Sequence, residues 1–126
     1  SCSLVGSEMC IRDRLNKKAV INKIKECNEN IKEVINFYNN ELESLYEKEY
    51  LTEIFQELGL EIRICTLCEK LIIAGFQVGD DYACTEACRD LIASDEEIND
   101  EDFCYETDWC EVNEDGTPIG VDLSEL

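Results

Sequence analysis

Residues 64–92 read ICTLCEKLIIAGFQVGDDYACTEACRDLI, and four of the chain's nine cysteines fall within them. Cys65 and Cys68 form a CxxC pair, Cys84 and Cys88 a CxxxC pair, and fifteen residues lie between the pairs. A CxxC turn aims two thiolates at one centre about 2.3 Å from each sulfur. A second pair at the start of a helix closes a tetrahedron, and the helix dipole favours thiolate charge there. Cys65, Cys68, Cys84 and Cys88 are therefore the expected ligands of a zinc ion. Two other readings compete. A redox CxxC opens a helix after a strand, whereas LIIAGF after Cys68 reads as a strand. Paired disulfides suit a secreted mini-domain, but Cys27 sits on a helical apolar face like a reduced core residue. With all four zinc positions filled by protein, no open site is left for catalysis.

Outward from the cysteines, LEIRI predicts a short strand leading into Cys65. The apolar runs LIIAGF and QV, interrupted at Gly75 and by GDD at 79–81, predict a β-hairpin. A short helix is expected from Cys84 to about Ala93, and Ser94 with Glu97 three residues on is a candidate capping box. The tail NEDGTPIGVDLSEL carries turn signals and few large apolar residues, so residues 113–126 are expected to be an acidic, loosely held segment.

Upstream, apolar residues recur at Ile24, Cys27, Ile31, Val34, Ile35, Tyr38, Leu42, Leu45 and Tyr46, mostly in steps of three and four. That is the helical period, and Lys, Glu and Asn solvate the other face. Residues 15–59 are expected to be one long amphipathic helix, or two joined at Asn39-Asn40, stopped by Gly59. The same stripe could pair with a second copy as a coiled coil, giving a homodimer. Before it, LVGSEMCIRDR at 4–14 resembles the translation of a transposon-end sequencing adapter. Residues 1–14 are accordingly expected to be a scar outside the fold, which removes Cys2 and Cys10 from the count and denies Met9 the role of initiator.

The formal net charge is −19, and its distribution is uneven. Residues 64–126 carry Lys70 and Arg89 against eighteen acids, while residues 15–63 carry seven bases against ten acids. So acidic a C-terminal half repels phosphate, and direct nucleic-acid binding is disfavoured. A solvated acidic surface is the plain reading; a DNA mimic seated in another protein's basic groove is the sharper one. The chain has no histidine, which removes Ser-His-Asp and Cys-His catalysis. Together with the closed metal site and the lack of a Gly-rich phosphate loop, this points away from an enzyme. No apolar run approaches the roughly 20 residues of a membrane span, and a cytoplasmic setting is expected.

The cysteine pattern, with Gly75-Phe76 after the first pair and Tyr82 just before the second, resembles the treble-clef-like zinc fingers of the TRASH and MYM (FCS-type) group. It is closer still to small zinc-binding proteins of phages and Gram-positive bacteria, which share the order CxxC, EGY or EGF, YxC, SxxC, an acidic stretch and a YWTEW-like motif. Here these stand as CTLC, AGF, YAC, TEAC, SDEEINDED and CYETDW, over residues 65–109. Ala74, Thr85 and Glu106 depart from the pattern, and no ligand is touched by those departures. The resemblance implies a metal rather than a reaction.

Cys104 and Cys110 are spaced poorly for a knuckle and are expected to be buried small residues beside Trp109, which packs on the zinc module or anchors an interface. The expected fold is thus α+β: the helical region 15–59, a treble-clef-like zinc module at 60–112 and the tail. The expected function is a zinc-stabilised protein-interaction module of a phage or bacterium, with a metal sensor or chaperone and the acidic DNA mimic as alternatives.

Overall fold

The computed structural model describes residues 15–123. The adapter-like segment lies outside the described residues. Three helices come first: α1 (Lys17–Glu26), α2 (Ile31–Glu41) and α3 (Leu45–Glu57). The expectation of one helix, or two meeting at Asn39-Asn40, is therefore corrected. Asn28 and Glu29 take left-handed backbone angles (φ 55° and 65°), ending α1. Asn30 then caps α2 by accepting the Glu33 N–H at 3.3 Å. The second break comes at Leu42–Ser44, beyond Asn40, where Ser44 caps α3 by accepting the Glu47 N–H at 3.2 Å. The helical period hid both turns because Cys27 and Leu42 still face the interior across them.

Asn39 has a different task from breaking a helix. Its side-chain amide accepts the Leu71 N–H at 2.7 Å and donates to the Leu71 carbonyl at 3.0 Å. It pairs with the backbone of the first sheet as a neighbouring strand would. Gly59 does stop α3, as expected, at φ +86°. The Leu60 N–H reaches back to the Phe55 carbonyl (2.9 Å) and the Gly59 N–H to Gln56 (3.0 Å), a Schellman closure with Leu60 and Phe55 both fully buried.

The β structure is two small antiparallel sheets. β1 (Arg63–Ile64) pairs with β2 (Leu71–Ile72). β3 (Ala74–Val78) is the centre of a three-stranded sheet, with β4 (Asp81–Ala83) on one side and β5 (Cys104–Asp108) on the other. The hairpin is therefore β3–β4, turning at Gly79, and the apolar run is interrupted at Ile73 rather than at Gly75. Between β4 and β5 lie α4 (Glu86–Ile92) and α5 (Asp95–Ile98). The Ser94–Glu97 capping box is present, with Ser94 N–H to Glu97 Oε1 at 2.9 Å and Glu97 N–H to Ser94 Oγ at 3.3 Å.

Burial divides the interior unequally. The larger cluster holds the apolar faces of α1–α3 with Leu60, Ile62, Leu71, Cys110 and Leu123; the smaller holds Val78, Ala83, Ala93 and Cys104. The first sheet thus shares a core with the helices. Their apolar stripe is covered from within the chain, although Leu45 and Tyr46 stay exposed.

The tail is not loose up to residue 123. Leu123 is buried in the larger core, Val112 bridges Pro118, and the Gly116 carbonyl accepts the Ile31 N–H at 2.9 Å. That last bond satisfies one of the donors α2 leaves open at its start. Gly116 sits at φ +81° against the Asn30 side chain, where a Cβ would collide with it. Its few apolar residues are used: Val112 and Val121 pack beside Leu123 on the larger core. Among the described residues no helix is long and apolar enough to cross a membrane.

Candidate metal centre

Local pairing brings the four cysteines together. Cys65 leaves β1 and Cys68 lies in the turn to β2, closed by Cys65 N–H to the Lys70 carbonyl and Glu69 N–H to the Cys65 carbonyl, both 2.9 Å. The second pair arrives with β4. Thr66 ties it to the knuckle: its N–H donates to the Tyr82 carbonyl at 2.8 Å, and its hydroxyl accepts the Tyr82 N–H at 3.1 Å. Cys84 follows two residues on, and Thr85 caps α4 by accepting the Cys88 N–H at 3.3 Å, placing Cys88 in the first turn.

Gly75 and Phe76 set the same geometry from β3. A Cβ on Gly75 would collide with the Ala83 carbonyl oxygen, one residue before Cys84. Only glycine lets β3 lie this close to the strand that delivers Cys84. Phe76 packs against the smaller core, with the Arg89 guanidinium of α4 over its ring at 4.9 Å.

The sulfurs of Cys65, Cys68, Cys84 and Cys88 all lie within 4.8 Å of one another. Cys68 and Cys84 are 3.4 Å apart, Cys84 and Cys88 3.6 Å. Disulfide sulfurs sit about 2.05 Å apart. A tetrahedral four-thiolate shell with bonds of about 2.3 Å has edges of roughly 3.8 Å. The cluster is therefore one that can bind a metal ion. Cys65 is fully buried, Cys84 and Cys88 are half-buried, and Cys68 is exposed.

Electrostatics in the cluster point the same way. Burial pushes the Cys65 thiol up, but the N–H groups of Cys68, Cys84 and Leu67 donate to its sulfur and bring it down to about 7. Cys84 goes up to about 12, through burial first and then its contacts with the sulfurs of Cys68, Cys88 and Cys65. Cys68 is also raised, mainly because its sulfur is partly shielded from water beside the others although the residue as a whole is exposed. One thiolate forms readily and opposes the next. A divalent cation removes that conflict by drawing all the sulfurs into the thiolate form.

The remaining cysteines stand apart. Cys104 is in the smaller core and Cys110 in the larger, so the two are not a pair. Burial raises the thiols of Cys110 and Cys27, which makes them poor nucleophiles. Trp109 packs on the module, edge-on to Tyr82 with ring centroids 5.5 Å apart, and its Nε1 donates to Gln77 Oε1 at 3.3 Å.

Sequence reasoning missed Lys48. It is the one charged side chain buried among the described residues, and its Nζ donates to the Glu69 carbonyl at 2.7 Å. Glu69 follows Cys68 directly and is left-handed at φ 62°. Lys48 thus holds the knuckle from α3 through the Glu69 carbonyl. Its surroundings in sequence, Tyr46-Glu47-Lys48-Glu49, look like any solvated helical face, so no pattern signalled it.

No protein-family model matches the chain, and no curated protein or solved structure matches it. The cluster accordingly rests on its own geometry, and no specific finger group is assigned.

Proposed function

We propose that the cluster holds a structural zinc ion and that the chain acts as a zinc-stabilised protein-interaction module. The observation that carries this reading is the convergence of four cysteine sulfurs, from two hydrogen-bonded segments, within 4.8 Å. Four soft sulfur donors in a tetrahedral set suit zinc, and a shell filled by protein leaves no position for substrate. The ligands would be Cys65, Cys68, Cys84 and Cys88, with Thr66 and Gly75 holding the two pairs at the right separation. We read the protein as a binder rather than an enzyme, since it has no histidine and a four-thiolate shell would leave the metal no open position. The motif order supports a phage or bacterial source.

A second reading, metal sensing or delivery, is favoured by one observation: Cys68 is exposed, so an incoming chelator or acceptor protein could attack the shell there. One titration separates the two. The reduced full chain is assayed for zinc, then titrated with a strong chelator while far-UV circular dichroism and Trp109 emission are followed. A structural ion gives one zinc per chain, and its removal red-shifts Trp109 as β3–β5 loosen, with helical signal partly kept by the larger core. Complete zinc removal with Trp109 unchanged favours the delivery reading, and a chain that takes up no zinc after reduction refutes both.

A further inference from the structure

A groove of about 550 Å³ runs between α3 and β1, bounded at one end by the knuckle. Its volume lies within the roughly 300–1,000 Å³ of ordinary ligand clefts. The helical wall is Leu45, Glu49, Thr52 and Gln56, recurring in steps of four, three and four along one face. At about 1.5 Å per residue that wall is roughly 16 Å long, enough for about five residues of extended chain at ~3.3 Å each. The lining is mixed: Leu60 and Ile62 close the base but are themselves almost wholly covered, and the apolar surface left open comes from half-buried Ile64 and exposed Leu45.

Charge decides the occupant. Glu49, Glu61 and Glu69 line the groove against a single cation, Arg63. Arg63 is already engaged: it lies 3.6 Å from Glu61, donates to the Ile62 carbonyl at 3.3 Å and sits over the Tyr82 ring at 5.6 Å. Glu49 and Glu69 form no ion pair among the described residues. A groove of mixed lining whose carboxylates outnumber its cations, with Lys48 held nearby on the Glu69 backbone carbonyl, on a chain of net charge −19, disfavours acidic and phosphate-bearing ligands and attracts cations.

We propose that this groove is the docking site for an extended basic-apolar peptide segment of a partner protein, with apolar side chains against Leu45 and Ile64 and Lys or Arg side chains facing Glu49 and Glu69. The inference rests on the interaction-module reading and gives it a surface and a partner chemistry. It also assigns the zinc a purpose, because Cys65, Thr66 and Glu69 of the knuckle form the groove's end wall.

The test selects a displayed library of random peptides, about nine residues long to exceed the groove, on the zinc-loaded full chain, with zinc quantified in the same samples. The expected winners alternate Lys or Arg with apolar residues. A synthetic copy of the best binds roughly tenfold more weakly to a chain carrying Glu49→Gln and Glu69→Gln. The same charge change at Glu96→Gln and Glu101→Gln, outside the groove, shifts affinity by less than about twofold. Thr52→Trp, which fills the groove from its helical wall, abolishes binding. Failure to enrich any peptide, winners without basic residues, or equal responses to the two double variants overturns the groove. Winners that bind elsewhere on a one-zinc chain leave the interaction-module reading intact. A folded chain that selects basic peptides in the groove without zinc refutes the zinc reading alone.

Discussion

Replacing Asn39 tests whether the helices and the first sheet are joined by the amide clamp. Asn39→Ala removes two hydrogen bonds to Leu71, whose backbone is deeply buried beside a side chain only 1% exposed. An unpaired buried polar group costs about 1–3 kcal/mol, and two are left. Asn39 is itself half-buried, so water can enter the space an alanine leaves and recover part of the loss. The expected destabilisation is about 2 kcal/mol for alanine and about 3–4 kcal/mol for leucine, which excludes that water. Asn39→Asp is the sharper variant. It keeps the acceptor for the Leu71 N–H but turns a second carboxylate oxygen toward the Leu71 carbonyl, so it should be at least as damaging as alanine near neutral pH. Protonation restores a donor, so the Asn39→Asp deficit should shrink as pH falls through the carboxyl pKa. Urea unfolding at fixed zinc, followed by circular dichroism, gives the free energies. A loss below about 0.5 kcal/mol for both alanine and leucine, the scale of ordinary surface changes, would refute the clamp.

Three further outcomes are expected. Gly75→Ala drives a Cβ into the Ala83 carbonyl and should cost about 1–3 kcal/mol while weakening zinc retention in a chelator competition, because the displaced strand carries Cys84. Glu69→Gly should stabilise the chain by about 0.5–1 kcal/mol, since glycine adopts φ 62° without the Cβ clash; unchanged or lower stability would show that the Glu69 side chain makes up for its strain. Tyr38 is held protonated up to about 12, by burial first and then by Cys27 and Glu26 nearby. Because its folded pKa is raised, its share of stability is complete below the unfolded value near 10 and is lost as pH climbs from there toward 12. Over that window wild type should lose about 2 kcal/mol more than Tyr38→Phe in alkaline urea titrations.

The four-cysteine cluster was legible because metal chemistry, for which such a cluster is suited, imposes spacing. A turn that aims two sulfurs at one ion leaves CxxC in the sequence, and the helix cap after Cys84 is written locally as Thr85. Gly59 and the Ser94–Glu97 box were readable for the same reason, since both are closed by residues three to five positions apart. The helix breaks at Asn28–Glu29 and Leu42–Ser44 were missed because burial continues through them, and periodicity records burial rather than φ. Asn28, Glu29 and Asn30, with a cap partner at Glu33, were the available signal. β5 was missed because Tyr105 and Glu106 are exposed and its pairing with β3 is supplied by residues some 30 positions away. The same distance hid Asn39 and Lys48, whose partners are backbone groups at Leu71 and Glu69. A side chain that bonds a remote carbonyl leaves no local pattern.

Those two side chains also explain how a metal site of this size can be rigid. Among the described residues the smaller core has four buried residues, Val78, Ala83, Ala93 and Cys104, with half-buried Phe76, Ile92, Ile98 and Phe103 packed on it, a thin core for three strands and two short helices. A metal ion held by the four-cysteine cluster would cross-link β1, β4 and α4 at their ends. The larger core holds the first sheet, and Asn39 and Lys48 fix both ends of the segment between Cys68 and β2 against α2 and α3. The knuckle is therefore held by protein hydrogen bonds alone, and a bound ion would have chiefly to order the second pair. Two consequences should appear together in a metal-free sample: amides of α2, α3 and β2 remain protected from hydrogen exchange, while those of β3–β5 and α4 exchange early. Uniform loss of protection across both sets would show one cooperative unit and remove the case for a pre-positioned knuckle.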